Sequence, residues 1–176
     1  MKTKLLPHGI LTAVIAAVIV IATMGRSEAS PHRVGAGVNY WRAIDSLHHH
    51  SFDKDGLSVI ATYQYWPTLV GLELDLEWFD DGFGGSPKDV FAPQALLLVG
   101  TWIYAAGGVG FYFSDGDFSK DPFFVLRAGL NLELLPSLFF DFNVNYRFEE
   151  WKDLQDRDTR IDSDTVMLGA ALRFAF

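Results

Sequence analysis

The sequence predicts an all-β fold: an eight-stranded antiparallel up-and-down transmembrane β-barrel, preceded by a helical signal peptide. Three observations support this prediction. In the clearest segments, apolar and polar residues alternate with period two over ten or more positions, which is typical of strands. Eight such segments follow one another, separated in turn by short and long connections. Finally, the apolar faces are bulky and nearly uninterrupted, whereas the polar faces hold many glycines and charges.

The first four strands are expected near residues 33–42 and over 57–65, 70–79 and 91–99. The third shows the clearest pattern of these four. Its two alternating sets are Val70, Leu72, Leu74, Leu76 and Trp78 against Gly71, Glu73, Asp75 and Glu77. Because successive side chains of a strand point to opposite faces, this segment has one apolar face and one acidic face.

The last four strands are expected over residues 103–113, 123–135, 138–151 and 165–176. The final strand ends the chain on an aromatic residue. Its apolar face consists of Val166, Leu168, Ala170, Leu172, Phe174 and Phe176. An apolar residue at a free terminus would have nothing to pack against, so this end of the chain must be held by a neighbouring strand.

The connections alternate in length. The short ones lie at 66–68, 100–101 and 136–137, and the long ones at 45–56, 80–89, 114–122 and 152–164. Three tight turns at one end and four longer loops at the other are typical of an antiparallel meander. Its two edge strands must pair with each other or be covered, which favours a closed barrel.

Two closed barrels are compatible with this pattern: a soluble lipocalin-like barrel with an apolar interior, or a membrane barrel with an apolar exterior. The size of the apolar residues favours the membrane barrel, because a narrow eight-stranded interior has no room for Leu, Phe or Val at nearly every position. Aromatic residues at the predicted strand ends are interpreted as two interfacial girdles. These residues are Trp41, Trp66, Trp78, Trp102, Trp151, Tyr40, Tyr65, Phe113, Phe123 and Phe148.

The N-terminal segment is interpreted as a secretory signal peptide over residues 1–29, followed by one barrel domain over 30–176. Lys2 and Lys4 precede an apolar run of about fifteen residues, shorter than the roughly 20 that a spanning helix needs. Residues 1–29 hold three of the 14 basic and one of the 22 acidic residues, which leaves 11 against 21. This acidic balance argues against nucleic acid as a partner. The chain has no cysteine, so disulfides do not stabilise it.

The C-terminal LRFAF resembles the signal by which the outer-membrane assembly machinery recognises barrels, with Phe174 and Phe176 as its aromatics. With the signal peptide and eight strands, the mature chain resembles the small outer-membrane barrel family that includes OmpX and the transmembrane domain of OmpA. That resemblance implies the outer membrane of a Gram-negative bacterium as the location. It also implies the assembly machinery, outer-membrane lipid and lipopolysaccharide as partners, and a monomeric state.

The polar faces predict the contents of the lumen. The charged residues expected to point inward are Glu73, Asp75, Glu77, Arg127, Glu133, Asp141, Arg147, Glu149 and Arg173. Counted from the short turns, Asp75 and Glu77 should lie level with Arg127 and Arg147, and Glu73 nearer Arg173. Buried charges persist only when they are paired, so we expect an ion-pair network of Glu73, Asp75, Glu77, Arg127, Arg147 and Arg173 that closes the bore.

The sequence therefore favours a non-enzymatic outer-membrane barrel with a structural or surface-interaction role and no cofactor. A narrow cation-favouring channel is the alternative, because acidic residues are in excess. His48, His49 and His50 could bind a metal, but adjacent residues on one loop seldom converge on an ion, so no metal site is predicted. A lipid-modifying enzyme is a further alternative, but outside this triplet the mature chain has only His32 as a base.

Overall fold

The computed structural model describes residues 30–43, 55–81, 83, 86, 88–114, 116–119, 121–148 and 165–176. The segment 1–29, the loop that holds His48, His49 and His50, and Glu149 and Trp151 lie outside these residues. Within the described ranges there are ten strands: β1 (His32–Ala43), β2 (Asp55–Tyr65), β3 (Val70–Phe79), β4 (Val90–Gly100), β5 (Ile103–Gly110), β6 (Phe113–Ser114), β7 (Asp117–Phe118), β8 (Phe123–Leu135), β9 (Leu138–Phe148) and β10 (Thr165–Ala175). In the described part of the chain, no helix has the length and apolar character needed to cross a membrane.

Eight of these strands form a closed antiparallel barrel. Following hydrogen-bonded neighbours around the wall gives β1, β2, β3, β4, β5, β8, β9 and β10, and β10 pairs with β1 to close the ring. The closing pair runs from Arg33 opposite Ala175 to Ala43 opposite Thr165. Closure pairs both edge strands of the described eight-stranded wall, which is the condition for a β-structure to cross a membrane. The predicted eight-stranded up-and-down barrel is therefore confirmed.

The short turns, the start of β1 and the end of β10 lie together at one end of the barrel. Trp66 N donates to Pro31 O at 2.7 Å, and Ala175 N donates to Ser137 O at 2.8 Å. In barrels of this type the short turns face the periplasm, so we call this the periplasmic end and the opposite one the extracellular end.

Alternation along each strand separates a membrane-facing exterior from a polar interior. In β3, Leu72 and Leu74 are each 55% exposed, whereas Glu73 between them is 0% exposed. The same division continues around the wall, with outward Leu97, Leu126, Val144 and Leu172 exposed. A soluble protein would bury these side chains, but lipid is their favourable environment, so the exterior is a lipid-facing surface.

The predicted strand over 103–113 is too long. Strand β5 ends at Gly110, and the chain then forms a small hairpin of β6 and β7, in which Phe113 pairs with Phe118. The rings of these two residues lie 4.9 Å apart, and Gly116 at the turn has φ +93°. This backbone conformation suits glycine, so the polar turn around Gly116 interrupts the alternation and folds the segment back on itself.

The prediction that all the strand-end aromatics form membrane girdles is wrong for several residues. Trp41 and Trp66 are each only 5% exposed, and Phe123, on the inward side of β8, is 1% exposed. Trp41 lies on the same, inward-facing side of β1 as Arg33 and Asn39, so its ring lies in the lumen. The outward aromatics include Tyr40, Tyr65 and Trp102, which are exposed near the barrel rims.

Candidate functional site: the filled lumen

The inward-facing side chains of the eight barrel strands line the lumen, and most of the charged and polar ones are buried. Its buried polar and charged side chains include Asn39, Ser58, Thr62, Gln64, Glu73, Asp75, Glu77, Gln94, Arg127, Asn131, Asp141, Asn143, Asn145, Arg147 and Arg173. Because an eight-stranded barrel is only wide enough for its own side chains, these groups meet across the bore. They form successive layers between the extracellular and periplasmic ends.

Glu77 is the centre of the layer nearest the extracellular end. Its carboxylate accepts hydrogen bonds from Arg147 Nη2, Ser58 Oγ and Asn39 Nδ2, the last at 2.7 Å. Arg147 Nη2 also donates to Gln94 Oε1 at 3.1 Å. Side chains of three other strands, β1, β2 and β9, thus converge on one buried carboxylate, and the ion pair of Glu77 with Arg147 crosses the bore from β3 to β9.

Arg127 is the centre of the next layer. Its guanidinium binds both acids of β3: Nη1 pairs with Glu73 Oε1, and Nη2 with Asp75 Oδ2 at 3.0 Å. Its Nε donates to Asn145 Oδ1. Gln94 Nε2 donates to Asp75 Oδ2 at 3.1 Å, which connects this layer to that of Glu77.

Arg173 forms the layer nearest the periplasmic end. It contacts Glu73 Oε2 at 3.3 Å and Asp141 Oδ2 at 2.9 Å, and its Nε donates to Thr62 Oγ1 at 3.0 Å. Tyr104 donates its hydroxyl to Asp141 Oδ1 at 3.0 Å. Glu73 therefore bridges two arginines, and a continuous chain of ion pairs and hydrogen bonds runs along the lumen.

The six residues of the predicted ion-pair network lie together in this chain of contacts. Glu77 meets Arg147 and Asp75 meets Arg127, while Glu73 contacts both Arg127 and Arg173. Asp141 joins them through Arg173. Glu133, which was also expected to point inward, lies on the inward side of β8 with Arg127 and Asn131, but it is exposed because it lines the periplasmic mouth.

An aromatic layer covers the extracellular side of this network. Phe83 stacks on Phe79 with ring centroids 3.9 Å apart and meets Trp41 edge-on at 4.9 Å. Tyr112 lies 5.5 Å from Phe83 and 4.4 Å from Phe123. We call these five residues the aromatic layer. Sequence reasoning missed it, because Phe83 comes from a loop segment that has no strand periodicity and Tyr112 was placed in the overlong predicted strand over 103–113.

The aromatic layer also contacts the ion pairs directly. The Arg147 guanidinium carbon lies 4.7 Å from the Phe123 ring centroid and 5.4 Å from that of Phe79. Such cation–π contacts strengthen in a desolvated site. One face of the Arg147 layer is therefore closed by aromatic rings, while its edge is held by Glu77.

Inward glycines make room for inward aromatic rings on the neighbouring strand. Tyr104 lies opposite Gly129, and Phe123 lies opposite Gly110. A Cβ added at Gly129 would lie 2.7 Å from the Tyr104 ring, and one at Gly110 would lie 2.4 Å from that of Phe123. At both glycines an aromatic ring therefore lies directly over the backbone. Such close approach is a common reason for a glycine within a strand.

The periplasmic mouth has a different construction. A cavity of about 320 Å³ opens there, lined by Arg33, Trp66, Pro67, Thr68, Thr101, Trp102, Asn131, Glu133 and Phe139. The Arg33 guanidinium carbon lies 3.9 Å from the Phe139 ring centroid and 5.3 Å from that of Trp66. This end of the lumen is therefore lined by a cation held against aromatic rings.

The predicted assembly aromatics lie at the strand pair that closes the barrel. Phe176 N donates to His32 O at 3.1 Å, and the rings of these residues lie 6.1 Å apart. Phe174 pairs in register with Val34 of β1 and is half-buried. His32 Nδ1 is 2.7 Å from the Tyr63 hydroxyl, so the C-terminus ends against a small aromatic group on the outer surface.

No protein-family model matches the chain, and no curated relative does. Solved structures do match. Neisserial surface protein A (NspA) superposes with a TM-score of 0.61 at 16% identity, covering 84% of this chain and 98% of that one. The N-terminal β-barrel domain of Pseudomonas aeruginosa OprF superposes with a TM-score of 0.53 at 15% identity, covering 84% and 100%. The protein thus has the fold of the small eight-stranded outer-membrane β-barrels, as its strand pattern predicted.

Proposed function

We propose that the protein is a non-conducting barrel of the Gram-negative outer membrane, with a structural or surface-interaction role. The observation that supports this proposal most strongly is the filling of the bore by two kinds of layer in series. The aromatic layer occludes the extracellular end, and three layers of arginine–carboxylate ion pairs lie below it. Eight-stranded interiors filled in this way leave no continuous aqueous path.

A narrow cation-favouring channel is the second candidate, and one observation favours it. Among the described residues, the buried charges of the lumen are four carboxylates against three arginines. An interior with excess negative charge attracts cations and repels anions. If the side chains moved apart, the path they opened would therefore select cations.

Single-channel recording in planar bilayers separates the two candidates. The refolded wild type is compared with Arg147→Ala, which removes the cation from the extracellular ion pair, and with Leu74→Ala, a matched control on the outer face. We expect no steady current from any of the three, because the aromatic layer and the Arg127 and Arg173 layers remain. Heat-modifiable migration on gels establishes that each variant is a folded barrel.

The recordings decide whether the lumen conducts ions. Steady cation-selective current from the wild type would overturn the closed-barrel proposal. Current that appears in Arg147→Ala but not in Leu74→Ala would show a constricted path that this ion pair holds shut, and the channel would become the better function. Silence in all three folded proteins supports the closed barrel.

The remaining parts of the proposal concern chemistry and partners. We propose no enzymatic activity, since among the described residues the only histidine, His32, contacts the Tyr63 hydroxyl and no carboxylate. We further propose that Phe174 and Phe176 are read by the assembly machinery before the barrel closes. In the folded state we expect a monomer surrounded by lipid and lipopolysaccharide, which the apolar exterior suits.

A further inference from the structure

Arg33 differs from the other inward-facing arginines. Arg127, Arg147 and Arg173 each have a carboxylate oxygen within 4 Å. Within the described ranges, Arg33 has no such partner, and its Nε and Nη1 have no hydrogen-bond acceptor. A guanidinium that is partly desolvated and lacks a counter-ion is costly, unless another group compensates its charge.

The aromatic contacts explain how Arg33 is held without an ion pair. Its guanidinium lies over Phe139 and near Trp66, at 3.9 and 5.3 Å from their ring centroids. These contacts occupy the faces of the guanidinium and leave its edge for a hydrogen-bond acceptor. The side chain is therefore already ordered, so a ligand that binds it avoids the entropic cost of fixing it.

The cavity beside Arg33 also contains an unpaired acid. Glu133 lines the same cavity and is exposed, and it has no cation within 4 Å in the part of the chain that the structure describes. Arg33 and Glu133 thus share one cavity without pairing with each other. Asn131 Oδ1 and Trp66 Nε1, on two residues that also line this cavity, are likewise without hydrogen-bond partners in the described structure. The mouth therefore presents separate positive and negative groups on apolar walls.

We propose that this periplasmic cavity binds a small zwitterion, with its carboxylate on Arg33 and its ammonium on Glu133. The cavity of about 320 Å³ has the size of an amino acid or a dipeptide. Trp66, Trp102 and Phe139 provide an apolar surface for its side chains. A simple anion would pair with Arg33 but would be repelled by Glu133. A simple cation would pair with Glu133 but would be repelled by Arg33. The ligand enters from the periplasm, because the aromatic layer closes the other end.

The test uses the dipeptide Leu-Leu and its blocked forms on the refolded full barrel in detergent micelles. Isothermal titration calorimetry measures the binding of Leu-Leu, N-acetyl-Leu-Leu and Leu-Leu-amide, with empty micelles as the blank. We expect acetylation or amidation to weaken binding to the wild type about tenfold each, since each removes one charge-assisted contact. The variants are Arg33→Gln and Glu133→Gln. The matched controls are Arg42→Gln and Asp80→Asn, which change exposed charges near the extracellular end.

Crossed specificity is the decisive result. Arg33→Gln should lose the preference for the free carboxylate over the amide and keep the preference for the free amine, and Glu133→Gln should do the reverse. The proposal is overturned if Leu-Leu gives no more heat than empty micelles up to about 10 mM, a concentration that would largely saturate a site with a Kd of about 1 mM. Equal binding of all three peptides, or equal behaviour of Arg33→Gln and Arg42→Gln, would also overturn it, because the cavity would then be an apolar recess only.

Discussion

Each end of the lumen has an arginine packed against aromatic rings, but only the arginine at the extracellular end also has an ion pair among the described residues. At the extracellular end, Arg147 lies against Phe79 and Phe123 and is also ion-paired with Glu77. At the periplasmic end, Arg33 lies against Phe139 and Trp66, but within the described residues no carboxylate completes the pair. The difference shows that aromatic rings alone can position an inward arginine. A carboxylate in addition makes the layer a structural plug, and its absence leaves the arginine open to a ligand.

The largest expected effect comes from breaking the paired region at its most connected residue. Glu73→Ala removes the carboxylate that Arg127 and Arg173 share and leaves both cations with fewer acceptors in a buried site. Removing one partner of a buried pair costs about 3–5 kcal/mol. We expect a loss of this size in the free energy of unfolding, measured by urea titration of the barrel in lipid vesicles.

Leu74→Ala is the control for this experiment, since Leu74 adjoins Glu73 on the same strand but faces lipid. Its loss of apolar contact with lipid should have a smaller effect than the loss of the bridging acid. A Glu73→Ala loss below about 1 kcal/mol, the range of solvent-exposed pairs, would show that the layers contribute little. The contrast between the two ends would then have no energetic basis.

A second, smaller effect concerns the packing of the Tyr104 ring against Gly129, which lies in the lumen below the aromatic layer. The test is whether this packing stabilises the folded barrel. The Cβ of Gly129→Ala would meet the Tyr104 ring at 2.7 Å, and this ring is held in place by the bond from its hydroxyl to Asp141. Overpacking of this kind costs about 1–3 kcal/mol. Urea titration of the variant should show this loss in the free energy of unfolding.

Gly107→Ala supplies the matched comparison on the neighbouring strand. An added Cβ at Gly107 has no neighbour closer than 4.0 Å, so this variant should unfold at nearly the wild-type urea concentration. Equal destabilisation by both substitutions would attribute the effect to strand backbone rather than to the Tyr104 ring. The proposed packing role of Gly129 would then be wrong.

The fold could be predicted because period two is a local property. In β3, the alternation that separates Leu74 from Glu73 in the sequence also separates an exposed from a buried side chain in the barrel. The approximate levels of the charges also followed from the sequence, because short turns fix the register of adjacent strands. For Glu77 and Arg147, counting from those turns was sufficient to place them near each other across the bore.

The aromatic layer and the periplasmic cavity could not be predicted in this way. An aromatic residue at a strand end suits either the membrane interface or the lumen, so Trp41 and Trp66 were assigned to the wrong side. Phe83 reaches the lumen from a loop, where no periodicity gives its direction. The partner of Tyr104 at Gly129 depends on the register between β5 and β8, which the long connection that separates these strands does not determine. Contacts between distant segments therefore decide these parts of the site.

The smallest effect tests the comparison of the two ends directly with one substitution at each. Arg33→Met keeps a long side chain against Phe139 and Trp66 and removes the charge, so the cation–π contribution of about 0.5–2 kcal/mol is lost. Arg147→Met also leaves Glu77 buried without its cation, which adds the cost of an uncompensated charge. We expect urea titration to show a clearly smaller loss for Arg33→Met than for Arg147→Met. An equal or larger loss for Arg33→Met would mean that Arg33 stabilises the folded barrel at least as strongly as the paired Arg147. The proposal that its charge serves ligand binding would then lose its physical basis. A smaller loss would leave the periplasmic charge free to serve binding, because folding does not depend on it.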